Sequence, residues 1–178
     1  MRVASAIRAA PVAATLGVYV LGVPQLYGKV DHYHHVIALA VLLAGEVGGH
    51  VDDDLHGDAG QDLLVGGLGN DTLTGNAGAD RFVFNAPLGS GNVDTITDFG
   101  NGADKLVLSA LMFEGLTAGG TVNLVVDGAA TTADPTVLYD STTGMLSYDA
   151  DGNGAGPAVD FAKLQSLAPL TSSDFMII

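Results

Sequence analysis

Residues 48–83 read GGHVDDDLH (48–56), GDAGQDLLV (57–65), GGLGNDTLT (66–74) and GNAGADRFV (75–83), one nine-residue pattern repeated without a gap. Glycine opens each block. The sixth position is always aspartate (Asp53, Asp62, Asp71, Asp80), and the eighth is always large and apolar (Leu55, Leu64, Leu73, Phe82). A flexible Gly-rich linker has no reason to hold an acid and an apolar residue in fixed register. Glycines at the first and fourth positions of the later blocks (Gly57, Gly60, Gly66, Gly69, Gly75, Gly78) open backbone conformations closed to residues with a Cβ atom. The first six positions of each block can therefore turn tightly. The last three form a minimal strand whose middle side chain points to one face. Stacked block on block, those middle residues make a narrow apolar core.

That core is thin. One buried large side chain for each nine ordered residues does not offset the conformational entropy lost by their backbones. The segment also carries Asp52, Asp53, Asp54, Asp58, Asp62, Asp71 and Asp80 against one cation, Arg81. Calcium meets both difficulties, because it takes about six to eight oxygens from carboxylates and carbonyls. Binding removes the repulsion and closes the turns, so ligand free energy becomes folding free energy. Magnesium suits the segment less, since it demands a tighter octahedron and sheds water reluctantly.

The pattern resembles the repeats-in-toxin (RTX) nonapeptide, a calcium-binding repeat. The resemblance implies an all-β protein whose repeats form a parallel β-roll, each block being half a turn. It further implies an ion between loops stacked on one edge, 18 residues apart, which pairs Asp53 with Asp71 and Asp62 with Asp80. Carbonyl ligands would come from the glycine-rich positions Gly57, Gly60, Gly66, Leu68, Gly69, Gly75, Ala77 and Gly78. Two complete sites follow, with partial ones at the ends. The first block departs from the pattern at Val51, where glycine belongs, and this weakens the Asp53–Asp71 pairing.

Composition narrows the classes. The chain has 178 residues, with 20 acids against 6 Lys plus Arg and a net charge of −14, a balance that repels nucleic acid phosphates. A hydrophobic content of 48% and a mean hydropathy of +0.37 argue against a disordered acidic chain. There is no cysteine, so neither disulfides nor thiolate sites are available.

Residues 1–47 lie outside the resemblance and are left unassigned. Arg2 and Arg8 precede an uncharged run over 9–28 with the outline of a signal peptide or short membrane segment, interrupted by Pro11, Gly17, Gly22 and Pro24. It makes a poor spanning helix, and no stable membrane insertion is expected. The apolar run 36–44 is too short to span. Between them, His32 and His35 with Asp31 lack the distant partner ligands of a transition-metal site, and read as a solvated patch. The chain is expected to be a remnant of a longer protein or to carry a non-native start.

After the repeats, NVDTITDFGNGADKLVLS (92–109) resembles the segment that follows them in serralysin-type secreted metalloproteases. Alternation over 93–99 and 105–108 predicts strands. Asp94, Asp98 and Asp104 flank a Gly/Asn turn and could finish the last calcium site, Asp98 being the one singled out; the alternative is a bare turn with solvated acids. Further strands are predicted in 121–127, 136–140, 145–149, 158–164 and 174–178, with a hairpin at DSTTG (140–144). Region 85–178 is thus read as an antiparallel β C-terminal region, and LYDSTTGMLSYDADGNGAG resembles a recurrent hairpin of the same family. Its DADGNG (149–154) resembles the first half of an EF-hand loop, but Asp160 stands where that loop wants a bidentate glutamate, so the stretch is read as a turn. The tail Asp174-Phe175-Met176-Ile177-Ile178 resembles the uncleaved C-terminal signal of type I secretion substrates; its structural alternative, a closing strand, is compatible with that role.

The implied function is a calcium-binding module, non-catalytic in itself, that folds on secretion from a Gram-negative cell and engages a type I exporter through its C-terminus. Two other readings stand beside it. One is the C-terminal part of a secreted hydrolase whose catalytic domain lies elsewhere; the other is a calcium-dependent adhesion or surface-layer module. The chain has no H-E-x-x-H zinc motif and no G-x-S-x-G elbow.

Overall fold

The computed structural model describes residues 52–178, so the readings of the runs 9–28 and 36–44 and of His32–His35 fall outside the described residues. Strands occupy the last three positions of each nonapeptide, as the pattern predicts: β1 (Asp54–His56), β3 (Leu63–Val65), β4 (Thr72–Thr74) and β6 (Arg81–Phe84). Alternate blocks feed opposite sheets. β1 pairs in parallel with β4, Leu55 opposite Leu73, and β3 pairs in parallel with β6, Leu64 opposite Phe82. Two short strands inside the turns, β2 (Ala59–Gly60) and β5 (Ala77–Gly78), add a third parallel ladder. This is a parallel β-roll with two nonapeptides per turn.

The stack does not stop at the fourth block. β7 (Asp94–Ile96) pairs in parallel with β4, and β8 (Lys105–Leu108) pairs in parallel with β6. Aligned by this pairing, GSGNVDTIT (89–97) and FGNGADKLV (99–107) are a fifth and a sixth rung, set off by the five residues 84–88 and by Asp98. One backbone bond repeats through every rung: the residue after the aspartate donates its N–H to the aspartate carbonyl one turn earlier. It runs from Thr72 to Asp53 (2.7 Å), Arg81 to Asp62 (2.8 Å), Thr95 to Asp71 (2.7 Å) and Lys105 to Asp80 (2.7 Å). All six eighth-position side chains (Leu55, Leu64, Leu73, Phe82, Ile96, Leu106) are buried in one core.

The remaining strands continue the same two sheets. They are β9 (Asn123–Val126), β10 (Thr136–Asp140), β11 (Met145–Asp149), β12 (Val159–Leu164) and β13 (Phe175–Ile177). The first sheet runs β1-β4-β7-β12-β11-β10-β9 and the second β13-β8-β6-β3. The antiparallel part of the C-terminal region is β10–β11–β12; β9, β12 and β13 meet β10, β7 and β8 in parallel. The 140–144 hairpin forms as predicted, its return made by Gly144 at φ +77, a left-handed conformation that glycine adopts without steric cost. Phe161 holds the two halves together, meeting Phe84 and Phe113 edge-on at centroid separations of 5.2 Å. Among the described residues no helix is long and apolar enough to cross a membrane.

Candidate metal centre

Each turn of the roll places one aspartate on either edge. On one edge, the N–H of Asp53 donates to Asp71 Oδ1 (2.8 Å) and that of Asp71 to Asp94 Oδ1 (3.1 Å). On the other, Asp62 donates to Asp80 Oδ1 (2.9 Å) and Asp80 to Asp104 Oδ1 (3.0 Å). One oxygen of each later carboxylate is therefore used to fix the stacking of the turns. The second oxygen of Asp71 and of Asp80 is buried with no hydrogen-bond partner, while that of Asp104 accepts the N–H of Gly100 (2.9 Å). These residues are 1% and 0% exposed, and an unsatisfied buried acceptor costs about 1–3 kcal/mol. The arrangement is incomplete without a cation.

The glycines shape this space. A Cβ on Gly66 would collide with Asp71 Oδ2, and one on Gly75 with Asp80 Oδ2; one on Gly57 would lie 2.9 Å from both Asp62 Oδ2 and the Gly75 carbonyl. First-position glycine is thus required to leave room beside the carboxylate, while the left-handed backbone falls mainly at position two, at Asp58, Gly67, Asn76 and Gly100. Fourth-position glycine permits close stacking: a Cβ on Gly78 would overlap the carbonyl of Gly60, and one on Gly102 that of Gly78.

Electrostatics agrees with a cation-binding role. Burial, reinforced by Asp52, raises the Asp53 carboxyl above its ordinary range. Burial raises Asp71 and Asp80 as well, with further contributions from Asp53 and Asp52 in the first case and from Asp104, Asp62 and Asp98 in the second. Asp94 is pushed up to about 7, chiefly by burial and then by the charge of Asp71. Among the described residues no three His, Cys, Asp or Glu side chains gather into a site of their own. Carboxylates from stacked turns, supplemented by carbonyls, are what the roll offers; such a set of hard oxygens suits calcium.

The sequence-predicted residues are distributed as follows. Asp53 with Asp71, and Asp62 with Asp80, are brought together one turn apart. Gly57, Gly66 and Gly75 lie against the carboxylates, and Gly60 and Gly78 in the stacked ladder. Ala77 belongs to that ladder and donates its N–H to the Asp58 carbonyl at 3.1 Å. Leu68 is half-buried in the turn before Gly69, whose N–H donates to Asn92 Oδ1 at 3.0 Å. Asp98 stands outside the aspartate column: its carboxylate accepts N–H bonds from Gly75 (3.0 Å), Asn76 (2.7 Å) and the Asn101 side chain (3.1 Å), clamping the turn beneath. The column positions fall instead to Asp94 and Asp104. The spacing of the acid and the apolar residue in 94–96 and 104–106 was the signal for them.

Stacked nonapeptides with an inward carboxylate in every turn define a cation-binding parallel β-roll. Residues 47–84 match the family model of the RTX calcium-binding nonapeptide repeat, in four copies. The repeats of this chain are therefore calcium-binding, and repeats of this kind are typical of secreted proteins. A search of curated proteins gave no match to the chain.

Proposed function

We propose that the chain is a calcium-triggered folding module of a protein secreted through a type I exporter, non-catalytic in itself. The observation that carries this reading is Asp80: fully buried, one oxygen bonded to the turn beneath, the other without a partner, and Asp62 and Asp104 in register on either side. Calcium would lie in the gaps along each edge, held by Asp53, Asp71 and Asp94 on one and Asp62, Asp80 and Asp104 on the other. Asp53 at the first rung comes from the block that departs from the pattern. Bound calcium supplies charge neutralisation and a link between turns; the chain supplies the preset stacking and the glycine-lined room.

In a calcium-poor cytosol the acids repel and the chain threads an exporter unfolded. Outside, calcium near millimolar saturates sites with dissociation constants of about 10⁻⁴ to 10⁻³ M. The tail fits this sequence of events. Phe175 and Ile177 are buried in β13 beside β8, so a C-terminal signal would be accessible before folding and packed afterwards. Deleting 174–178 would consequently disturb folding as well as export, and the tail is better tested at exposed side chains. Met176→Ser, at a position 40% exposed, should reduce secretion from a host carrying a type I exporter while leaving calcium-induced folding intact. Full secretion of that variant together with a Met176→Asp variant would contradict the export role.

A further inference from the structure

Another unsatisfied carboxylate lies outside the nonapeptide rungs. Asp149, the last residue of β11, is 7% exposed and its Oδ1 is buried without a hydrogen-bond partner. The Asp151 carboxylate is in side-chain contact with it, and among the described residues neither makes an ion pair. Gly152 follows at φ +60, with the carbonyl oxygens of Thr132 and Asp134 both converging on it: a Cβ there would stand 2.6 Å from the Asp134 oxygen and closer still to that of Thr132. Asn153 ties the loop to the same segment, donating its N–H to the Thr132 carbonyl (2.8 Å) and its side-chain amide to that of Thr131 (3.0 Å).

These residues fill a known ligand pattern. In D-x-D-x-N-G, side chains one, three and five of a calcium loop supply oxygens, and the sixth-position glycine allows the sharp turn; here they are Asp149, Asp151, Asn153 and Gly154. The twelfth position does not contribute, because Asp160 accepts a hydrogen bond from Ser147. The neighbouring segment 131–135 takes its place, bringing carbonyls where an EF-hand brings glutamate.

We propose that loop 149–154, backed by residues 131–135, binds one calcium ion outside the roll, with Asp149 and Asp151 as its carboxylate ligands. The site joins the hairpin strand β11 to the segment that leads into β10, so its occupancy fastens the outer part of the first sheet. It does not depend on the reading of the nonapeptides.

Terbium luminescence distinguishes this site from the roll. Tyr148 adjoins Asp149, and the rungs over 52–107 contain neither tyrosine nor tryptophan, so the sensitised emission that is lost with Tyr148→Phe reports on this loop. Titration of the full chain with terbium should give emission that Asp149→Asn and Asp151→Asn each weaken in affinity on the order of tenfold and that Tyr148→Phe dims. Native mass spectrometry in calcium should count one ion fewer in the double variant. Asp151 lies on an exposed loop, so its variant keeps the test valid if Asp149→Asn misfolds. Emission and ion count unchanged in both loop variants would overturn the proposal. Emission that depends on Asp149 in a protein whose roll takes no calcium would leave it standing and remove only the roll reading.

Discussion

Replacing Asp80 with asparagine should move the protein in opposite directions with and without calcium. Asn is nearly isosteric and can still accept the Asp62 N–H through its amide oxygen, so the turn geometry survives. In chelator the substitution removes a buried charge that Asp104, Asp62 and Asp98 all oppose; the metal-free chain should become no less compact than the wild type. In calcium the same change removes a charged ligand from both gaps of its edge. A loss of about tenfold in each gap is about 1.4 kcal/mol per site, or about 2.8 kcal/mol for the pair. Spread over roughly four ions bound in one cooperative folding step, that total raises the calcium midpoint about threefold. The assay is a calcium titration followed by far-UV circular dichroism, run beside a chelator control. A midpoint unchanged within error, or a variant destabilised equally in chelator and in calcium, would refute the reasoning.

Other consequences are independent of that variant. Gly78→Ala places a methyl group on the Gly60 carbonyl and should cost at least about 3 kcal/mol, abolishing folding even in saturating calcium; Gly91→Ala, with open space around it, should be silent in the same titration. Acidity should compete with calcium. The carboxyls of Asp53, Asp71, Asp80 and Asp94 are raised by folding, Asp94 to about 7, so the metal-free fold binds more protons than the unfolded chain above the ordinary carboxylate range. Its stability therefore falls as pH rises from about 4 to about 7, and calcium, which must displace those protons, should bind more tightly over the same interval and level off above it. Midpoints measured between pH 5.5 and 7.5 check this, and a flat profile would contradict it.

Much of the architecture was legible because the repeat states it twice, once in its glycines and once in its apolar positions. The strands at positions seven to nine follow from Leu55, Leu64, Leu73 and Phe82, whereas the 18-residue stacking is what the resemblance to the RTX repeat implies. The fifth and sixth rungs were read as strands without being recognised as repeats. Residues 84–88 and Asp98 break the nine-residue count, Asn92 stands in the fourth position, and Phe99 replaces the opening glycine. Their aspartates therefore read in sequence as a loose group around Asp98, although Asp94 and Asp104 complete the columns. The parallel entry of β9, β12 and β13 was also hidden, since local alternation identifies a strand but not its distant partner. Phe113 sits in a glycine-rich stretch without periodicity, yet it is fully buried between Phe161 and Tyr148. The burial of Asp149 depends on packing by segments remote in sequence, which no motif length could disclose.

The most direct test of the whole account compares the isolated full chain in EDTA and in millimolar calcium by circular dichroism and small-angle scattering. A coil-like, expanded chain in EDTA that becomes β-rich and compact in calcium, with little response to magnesium, is the predicted result. Equal compactness and equal β content in the two conditions would contradict it.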